Sequence, residues 1–520
     1  MTNIAAMRPL IGLLGVVVAA ISSEFNDQVS SIALPDIAGG LGFSHDPGTW
    51  FGSLYVTAEI VGMAISPWLL VTFTLRHFTL LVILLNAISS VLIPFSPDQP
   101  ALLALRVAQG LSGGLTTPLL MTAALRVLDP PIRLYGLSVY AVTATFAPAV
   151  AATVAAGWTD LVGWQFVFLE SVPLCAVAAV LVWYGVPQDE PHYDRFRVFD
   201  WRGAVLILVG LGSFSTMLQQ GDRLDWFNSP LICVLALISV VAIPLLIVNE
   251  WFHQVPLLKL QLLGRRNIAY GVIALFILLL IGLSGSVLPN TFLEQVQGFR
   301  PEQLYPLTLA IALAQLLMLP ALAWLLDFPA VDARVVSFIG LMLILMACLT
   351  SSFITGDWFV ASLWTSEALQ AVGQPMVVVP LLLMSTNSVQ RPDEAPFVSA
   401  LVNTPRAISE AVGVWLIQLI QRWRGGLHYN RIADQVGQER LSLIQAPAID
   451  PRYPPPLLPD GHSGAPGSLA AFAHAVQQQV QILTISDAFL VSAALTAALM
   501  VIVLVLPERT LPPRLQFAKK

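Results

Sequence analysis

Residues 230–249 read PLICVLALISVVAIPLLIVN, twenty residues without one charged side chain. A hydrocarbon core about 30 Å thick is crossed by about 20 apolar residues in a helix rising about 1.5 Å per residue. This stretch therefore predicts a membrane span. Comparable runs precede it near 9–34, 49–73, 77–96, 100–127, 134–156, 162–186 and 203–219, and follow it near 268–290, 304–326, 334–354, 358–386, 397–421 and 483–506. Fourteen spans result, and composition agrees: 56% of residues are hydrophobic, 11% are charged, and mean hydropathy is +0.77. A soluble surface of that makeup would aggregate. The fold class is an all-α polytopic membrane protein.

Charge orients it. With the N-terminus inside, sixteen basic residues from Arg8 to Lys520 fall on cytoplasmic segments, against Arg223 and Arg300 on the short outer loops. That bias requires an even number of spans and both termini in the cytoplasm. Arg8 ahead of an apolar stretch ending in Ala19 and Ala20 resembles a signal peptide. The stretch runs on as a helix to Pro35, so no cleavage is expected. Residues 422–482 form the one long outer segment, Pro- and Gly-rich around 454–467 and then amphipathic. In it Phe472, Val476, Val480 and Leu483 make an apolar stripe offered to a partner helix, to the membrane surface, or to an outward extension of the last span.

Several chemistries are excluded. A net charge of -6 supplies no basic patch for nucleic acid. Lysine occurs only at 259, 519 and 520, none within a Walker A loop, so a gradient or a separate ATPase subunit must supply any pumping energy. The seven histidines lack paired metal spacing, and no metal site is expected. Cys175, Cys233 and Cys348 lie in apolar stretches and read as small hydrophobes. No nucleophile and base constellation suggests an enzyme.

Ionisable side chains within spans cost about 2.5–3.5 kcal/mol on insertion scales, so they face cavities and mark pathways. The candidates are Glu24, Asp27, Glu59, Arg106, Glu170, Glu367, Arg406 and Glu410. Glu24, Asp27, Gln28 and Ser31 share one helical stripe that should face protein or water. Counting about 1.5 Å per residue, Asp27 and Arg106 lie roughly 10 and 9 Å from the outer ends, within reach of an ion pair. Glu24 and Glu59 lie roughly 15 Å in, near the midplane, where a carboxyl away from a cation is expected to carry a proton. Arg406 and Glu410, four residues apart, read equally as a local neutralising pair. Glu170 reads equally as an interface residue.

Several stretches in order resemble the major facilitator superfamily, specifically its fourteen-helix drug:proton antiporters of the EmrB and QacA type. They are Ser31-Ile-Ala-Leu-Pro-Asp-Ile37, Gly48-Thr-Trp50, Arg106-Val-Ala-Gln-Gly110, Trp164-Gln-Phe-Val-Phe168 with Val172-Pro173, and Phe199-Asp-Trp-Arg-Gly203. Asp225-Trp-Phe227, Leu293 to Gly298, Asn403-Thr-Pro-Arg406 with Gly413, and Asp487-Ala-Phe489 complete the set. The chain also departs from that pattern. Between the second and third helices, Pro67 to His77 lacks the family's Asp and glycines, and its C-terminal counterpart keeps Asp327 followed by Phe328. The fifth-helix antiporter signature appears as Ala151 to Ala156, leaving any kink to Pro148. The position of the family's first-helix Asp is Asn26, with Asp27 beside it. Arg106-x-x-Gln109 with Gly113 and Pro118 is paralleled by Glu367-x-x-Gln370 with Gly373 and Pro380, as repeated halves predict.

The resemblance implies a six-helix bundle in 1–186, two linker spans in 187–266 and a second bundle in 267–520 that includes the outer loop. It implies a proton-coupled exporter of small lipophilic or amphipathic compounds, with no cofactor beyond the proton gradient, in the bacterial inner membrane. A periplasmic adaptor and an outer-membrane channel are implied partners. Glu24, Asp27, Glu59 and Arg106 are the expected proton-coupling set. Gln109, Glu170, Glu367, Gln370, Asn403, Arg406 and Glu410 are the expected substrate cavity. An importer or symporter of a metabolite, and a receptor or scaffold, are the alternatives.

Overall fold

A computed structural model describes residues 4–42, 45–128, 133–300, 303, 305–438 and 468–510. Among them the regular structure is helical throughout, without a strand. The long helices are α1 (Ile4–Ile32), α2 (His45–Phe73), α3 (Leu75–Leu92), α4 (Gln99–Val127), α5 (Arg133–Leu161), α6 (Phe166–Gly185) and α7 (Trp201–Gln220). They continue as α8 (Pro230–Phe252), α9 (Arg266–Gln295), α10 (Tyr305–Leu326), α11 (Ala333–Ser351), α12 (Val360–Thr386), α13 (Ala395–Gln438) and α14 (Ser468–Val505). Each corresponds to one span read from the sequence. Backbone groups in hydrocarbon must be satisfied within the segment, which is why a helix is the form taken.

Helices α1 to α6 pack among themselves, as do α9 to α14. The two groups meet along α5 with α10 and α2 with α13. The pair α7–α8 sits outside: Gln220 donates to Ser53 on α2 at 2.6 Å, and Arg422 on α13 lies 3.5 Å from Asp222 and also pairs with Asp225. The linker pair thus grips one helix of each group.

Close approach comes from glycine. On α4, a Cβ at Gly114 would sit 2.0 Å from the Glu59 carbonyl, and one at Gly110 2.3 Å from that of Tyr55. Small residues let α2 and α4 touch backbone to backbone, where dispersion takes the place of a hydrophobic drive that lipid does not provide.

Between α2 and α3, the segment lacking the family's charged loop is closed by aromatic contacts. Trp68, fully buried, stands edge-on to Phe196 at 5.2 Å and Phe199 at 4.5 Å. Those two rings belong to the loop that follows α6, so the first bundle is tied to the linker there.

The outer segment takes the last of its three readings. Residues 422–438 continue α13 and residues 468–482 belong to α14. At 44 and 38 residues these helices are about 66 and 57 Å long, well beyond a bilayer core. The stripe ending at Val480 and Leu483 is therefore part of the last span's outward extension. Val480 is buried, with Gly425 of α13 at its methyl group, so α13 covers that part of the stripe. Phe472 and the Pro-rich stretch fall outside the described side chains. The first helix also ends before Pro35: it stops at Ile32, and a separate helix spans Leu34–Leu41.

Gly114→Val should force α2 from α4 and destabilise the protein by about 1–3 kcal/mol as an overpacked contact. Thermal unfolding in detergent checks this, with Gly426→Ala, whose Cβ meets nothing within 4 Å, as the neutral comparison.

Candidate functional site

The helices' polar residues converge on a cavity of about 540 Å³ between the two groups. Its walls come from the end of α1 (Glu24, Asp27, Ser31), the start of α2 (Thr49, Phe51, Ser53), the later half of α9, and α10, α12 and α13. These lining residues run from mid-helix to the ends that the charge bias places outside. Toward the opposite ends the groups are in contact: Ser399 on α13 donates to the Pro118 carbonyl on α4 at 2.8 Å, and Tyr140 on α5 donates to Asn403. The cavity thus opens toward one end of the bundles and is closed at the other.

At the cavity floor Arg406, 4% exposed, binds Glu24 at 2.6 Å, joining α13 to α1. Glu410 lies 3.6 Å from the same guanidinium. The local pair expected of Arg406 and Glu410 thus exists but is the longer contact. Glu24 does not stand away from a cation, because Arg406, far along the chain, comes to it.

Asp27, Glu59 and Glu410 each place a carboxylate oxygen within 4.8 Å of the others. Glu59 is 7% exposed, and its Oε2 has no hydrogen-bond partner. Gln28 donates to Asp27 at 3.1 Å.

Arg106 does not pair with Asp27. Its guanidinium turns into the first bundle, donating to the Asn26 carbonyl at 3.0 Å, Gln109 Oε1 at 2.6 Å and Ser30 Oγ at 2.6 Å. Its Cζ also stands 4.5 and 4.1 Å from the ring centres of Phe51 and Tyr55. Equal depth was insufficient, because the two side chains leave their helices in different directions. Neutral oxygens and ring faces hold this cation at the edge of the cavity.

In the second half, Gln315 donates to Gln374, Gln374 to Gln370, and Gln370 to Ser284 at 2.7 Å. Glu367, 2% exposed, lines the cavity beside this chain, and its Oε2 has no hydrogen-bond partner. Gln370, Arg406 and Glu410 also line it, whereas Asn403 and Gln109 lie behind the wall. Glu170 is placed elsewhere: it accepts from Trp158 at the outer end of the first bundle and does not line the cavity. The sequence reading missed Tyr140, Tyr55, Gln315 and Gln374. Each is a neutral residue in an apolar span, so charge, the signal used, could not find it.

Two bundles closing on a charged cavity at mid-membrane, open on one side, define a multi-pass secondary transporter. The chain belongs to the Major Facilitator Superfamily, whose family model matches residues 16–414. It is 25% identical to the multidrug export protein EmrB of Escherichia coli K12, over 80% of this chain and 81% of that one. It is also 25% identical to the colistin resistance protein EmrB of Acinetobacter baumannii, over 78% of each chain. The fold is that of the human organic anion transporter MFSD10, with a TM-score of 0.59 and 14% identity over 94% of this chain and 99% of that one.

Arg406→Gln should destabilise the protein by about 3–5 kcal/mol, because it strands Glu24 in a buried site. Glu24→Gln should cost less, since Glu410 remains to hold the arginine. The Glu24→Gln/Arg406→Gln double variant should melt above Arg406→Gln alone, and a double variant melting lower would contradict the pairing.

Proposed function

We propose that this protein is a proton-coupled exporter of small lipophilic or amphipathic compounds, working by alternating access in the bacterial inner membrane with both termini cytoplasmic. The observation that carries the reading is the cluster of Asp27, Glu59 and Glu410, of which Asp27 and Glu410 line the cavity and Glu59 is buried beside them. Carboxylates crowded in a low-dielectric site repel one another, and neutralising them by protons relieves that repulsion. Protons entering from outside neutralise the cluster and release the compound outward; the site then returns to the cytoplasmic face, loses its protons and loads again. Substrate and proton exclude each other because the same oxygens cannot favour both. The gradient is the energy source and no cofactor is required. The names of the two EmrB relatives support export and drug resistance.

Glu59 tests the coupling. In inverted vesicles with an imposed proton gradient, Glu59→Gln should abolish substrate-driven proton movement while expression and membrane insertion persist. Unchanged proton movement would remove Glu59 from this role.

We further propose that the outward ends of α13 and α14 meet a periplasmic adaptor that leads to an outer-membrane channel. Trp423 and Tyr429 are 72% and 55% exposed on the projecting part of α13, and such aromatics are enriched in interfaces. Deleting residues 440–466 should spare transport in proteoliposomes and abolish resistance in cells. Equal loss of both counts against the adaptor.

A further inference from the structure

The three-carboxylate cluster holds more negative charge than protein groups neutralise. Among the described residues, the guanidinium in ion-pair contact with the cluster is Arg406, already engaged with Glu24 at 2.6 Å, while Arg106 near Asp27 gives its donors to Asn26, Gln109 and Ser30. The contact of Arg406 with Glu410 is a longer 3.6 Å. Asp27 is met by the neutral amide of Gln28, and Glu59 is bound by nothing within hydrogen-bond distance. Glu59 is more than nine-tenths buried with an oxygen among those of Asp27 and Glu410, so it is an unpartnered group aimed into the cluster. A buried carboxylate oxygen without a partner is costly and marks a place for a ligand.

We propose that Asp27, Glu59 and Glu410 bind one calcium-sized divalent cation from the outer side, and that the ion joins α1 and α2 to α13 and so favours the outward-facing arrangement. The donors are all oxygens, which select hard cations over zinc or copper. Two oxygens on one ion stand at most twice the bond length apart, about 4.6–5.2 Å for calcium and about 4.0–4.2 Å for magnesium. The three oxygens lie within 4.8 Å of one another, inside the calcium limit, and small side-chain movements close them around one ion. Counting Glu24 with the cluster, four carboxylates against Arg406 and Arg106 leave roughly two charges to neutralise, which a divalent ion matches and a monovalent ion does not. Water in the open cavity supplies the remaining ligands, as oxygen sites for this ion commonly use. The proposal rests on the reading of this cavity as the transport site, since an ion bound there competes with protons for the same oxygens.

The test is equilibrium binding, without gradient or substrate. Purified full-length protein in nanodiscs at pH 7.5 is titrated with radioactive calcium, and with Mn²⁺ followed by electron paramagnetic resonance, at constant ionic strength. One saturable site per chain is expected, with magnesium a weaker competitor and sodium ineffective. Glu59→Gln and Glu410→Gln should each weaken it by at least about tenfold, as the carboxylate count of such sites sets affinity. Asp189→Asn, on an exposed loop, should leave it unchanged. Calcium should also raise the melting temperature of the parent protein and of Asp189→Asn but not of Glu59→Gln, which covers the case of a variant that folds poorly. Absence of saturable binding, or binding equal in parent and Glu59→Gln, overturns the proposal. Proton exchange measured separately then decides the transport reading, so the two can fail independently.

Discussion

A charge cannot remain alone in hydrocarbon, and the Glu24–Arg406 pair is where this protein meets that constraint most directly. The two residues come from opposite halves of the chain and meet at 2.6 Å with 11% and 4% of their side chains exposed. Separating them without replacement strands two ions in a medium that solvates neither. The pair therefore draws α1 and α13 together at mid-membrane. Tyr140 with Asn403 and Ser399 with the Pro118 carbonyl extend the seam toward one end, and the cavity is left at the other. Opening at the closed end has to loosen this seam and supply other partners to its charges.

What holds each half rigid is different in kind. In the first, glycines bring α2 and α4 into backbone contact directly behind Glu59, so that carboxylate is fixed by packing rather than by a hydrogen bond. Arg106 is fixed by Ser30, Gln109, the Asn26 carbonyl and two ring faces. Neutral partners orient the guanidinium without cancelling its charge, which leaves its field acting on Asp27 nearby. Near the end of α2, Trp68 between Phe196 and Phe199 occupies the place where the family pattern has charged residues. An aromatic wedge is insensitive to salt and to protonation, so the junction of the first bundle with the linker rests on ring packing, with Arg195 over the Trp68 ring at 5.9 Å.

The fold was legible because its cause is one-dimensional. Runs such as 230–249 state their length and apolarity directly, and each of the fourteen predicted spans has its helix. Depth is one-dimensional too, and residue counting put Asp27 and Arg106 at one level. Azimuth is not: the direction each side chain takes depends on which helix lies beside it, and Arg106 turns inward while Asp27 faces the cavity. The Glu24–Arg406 contact joins positions 382 apart, so nothing local announces it. Arg406 with Glu410, four apart, was visible and proved the longer contact. Neutral residues such as Tyr140 and Gln374 carry no mark in an apolar span. The outer stripe was legible as a period but not as a choice among its three readings, which the packing of α13 on Val480 decides.

The cavity's composition constrains how it can work. Glu24, Asp27 and Glu410 line it with Glu59 buried beside them, and among the described residues Arg406 is the guanidinium that pairs with any of them. Full ionisation with nothing bound leaves an excess of negative charge in a low-dielectric space, and each further carboxylate raises the cost. The site is therefore never both empty and fully charged; protons, a metal ion or a cationic part of a substrate must be present. These occupants draw on the same oxygens, so binding one lowers affinity for the others by the same coupling free energy in both directions. Reciprocal exclusion of that kind is sufficient for exchange, provided the seam around Arg406 opens with one occupant and closes with another. Glu367, set apart in the second half beside the glutamine chain, lies outside this mutual repulsion. A charge there is felt little by the cluster, so whatever binds beside the glutamine chain need not displace what neutralises the carboxylates.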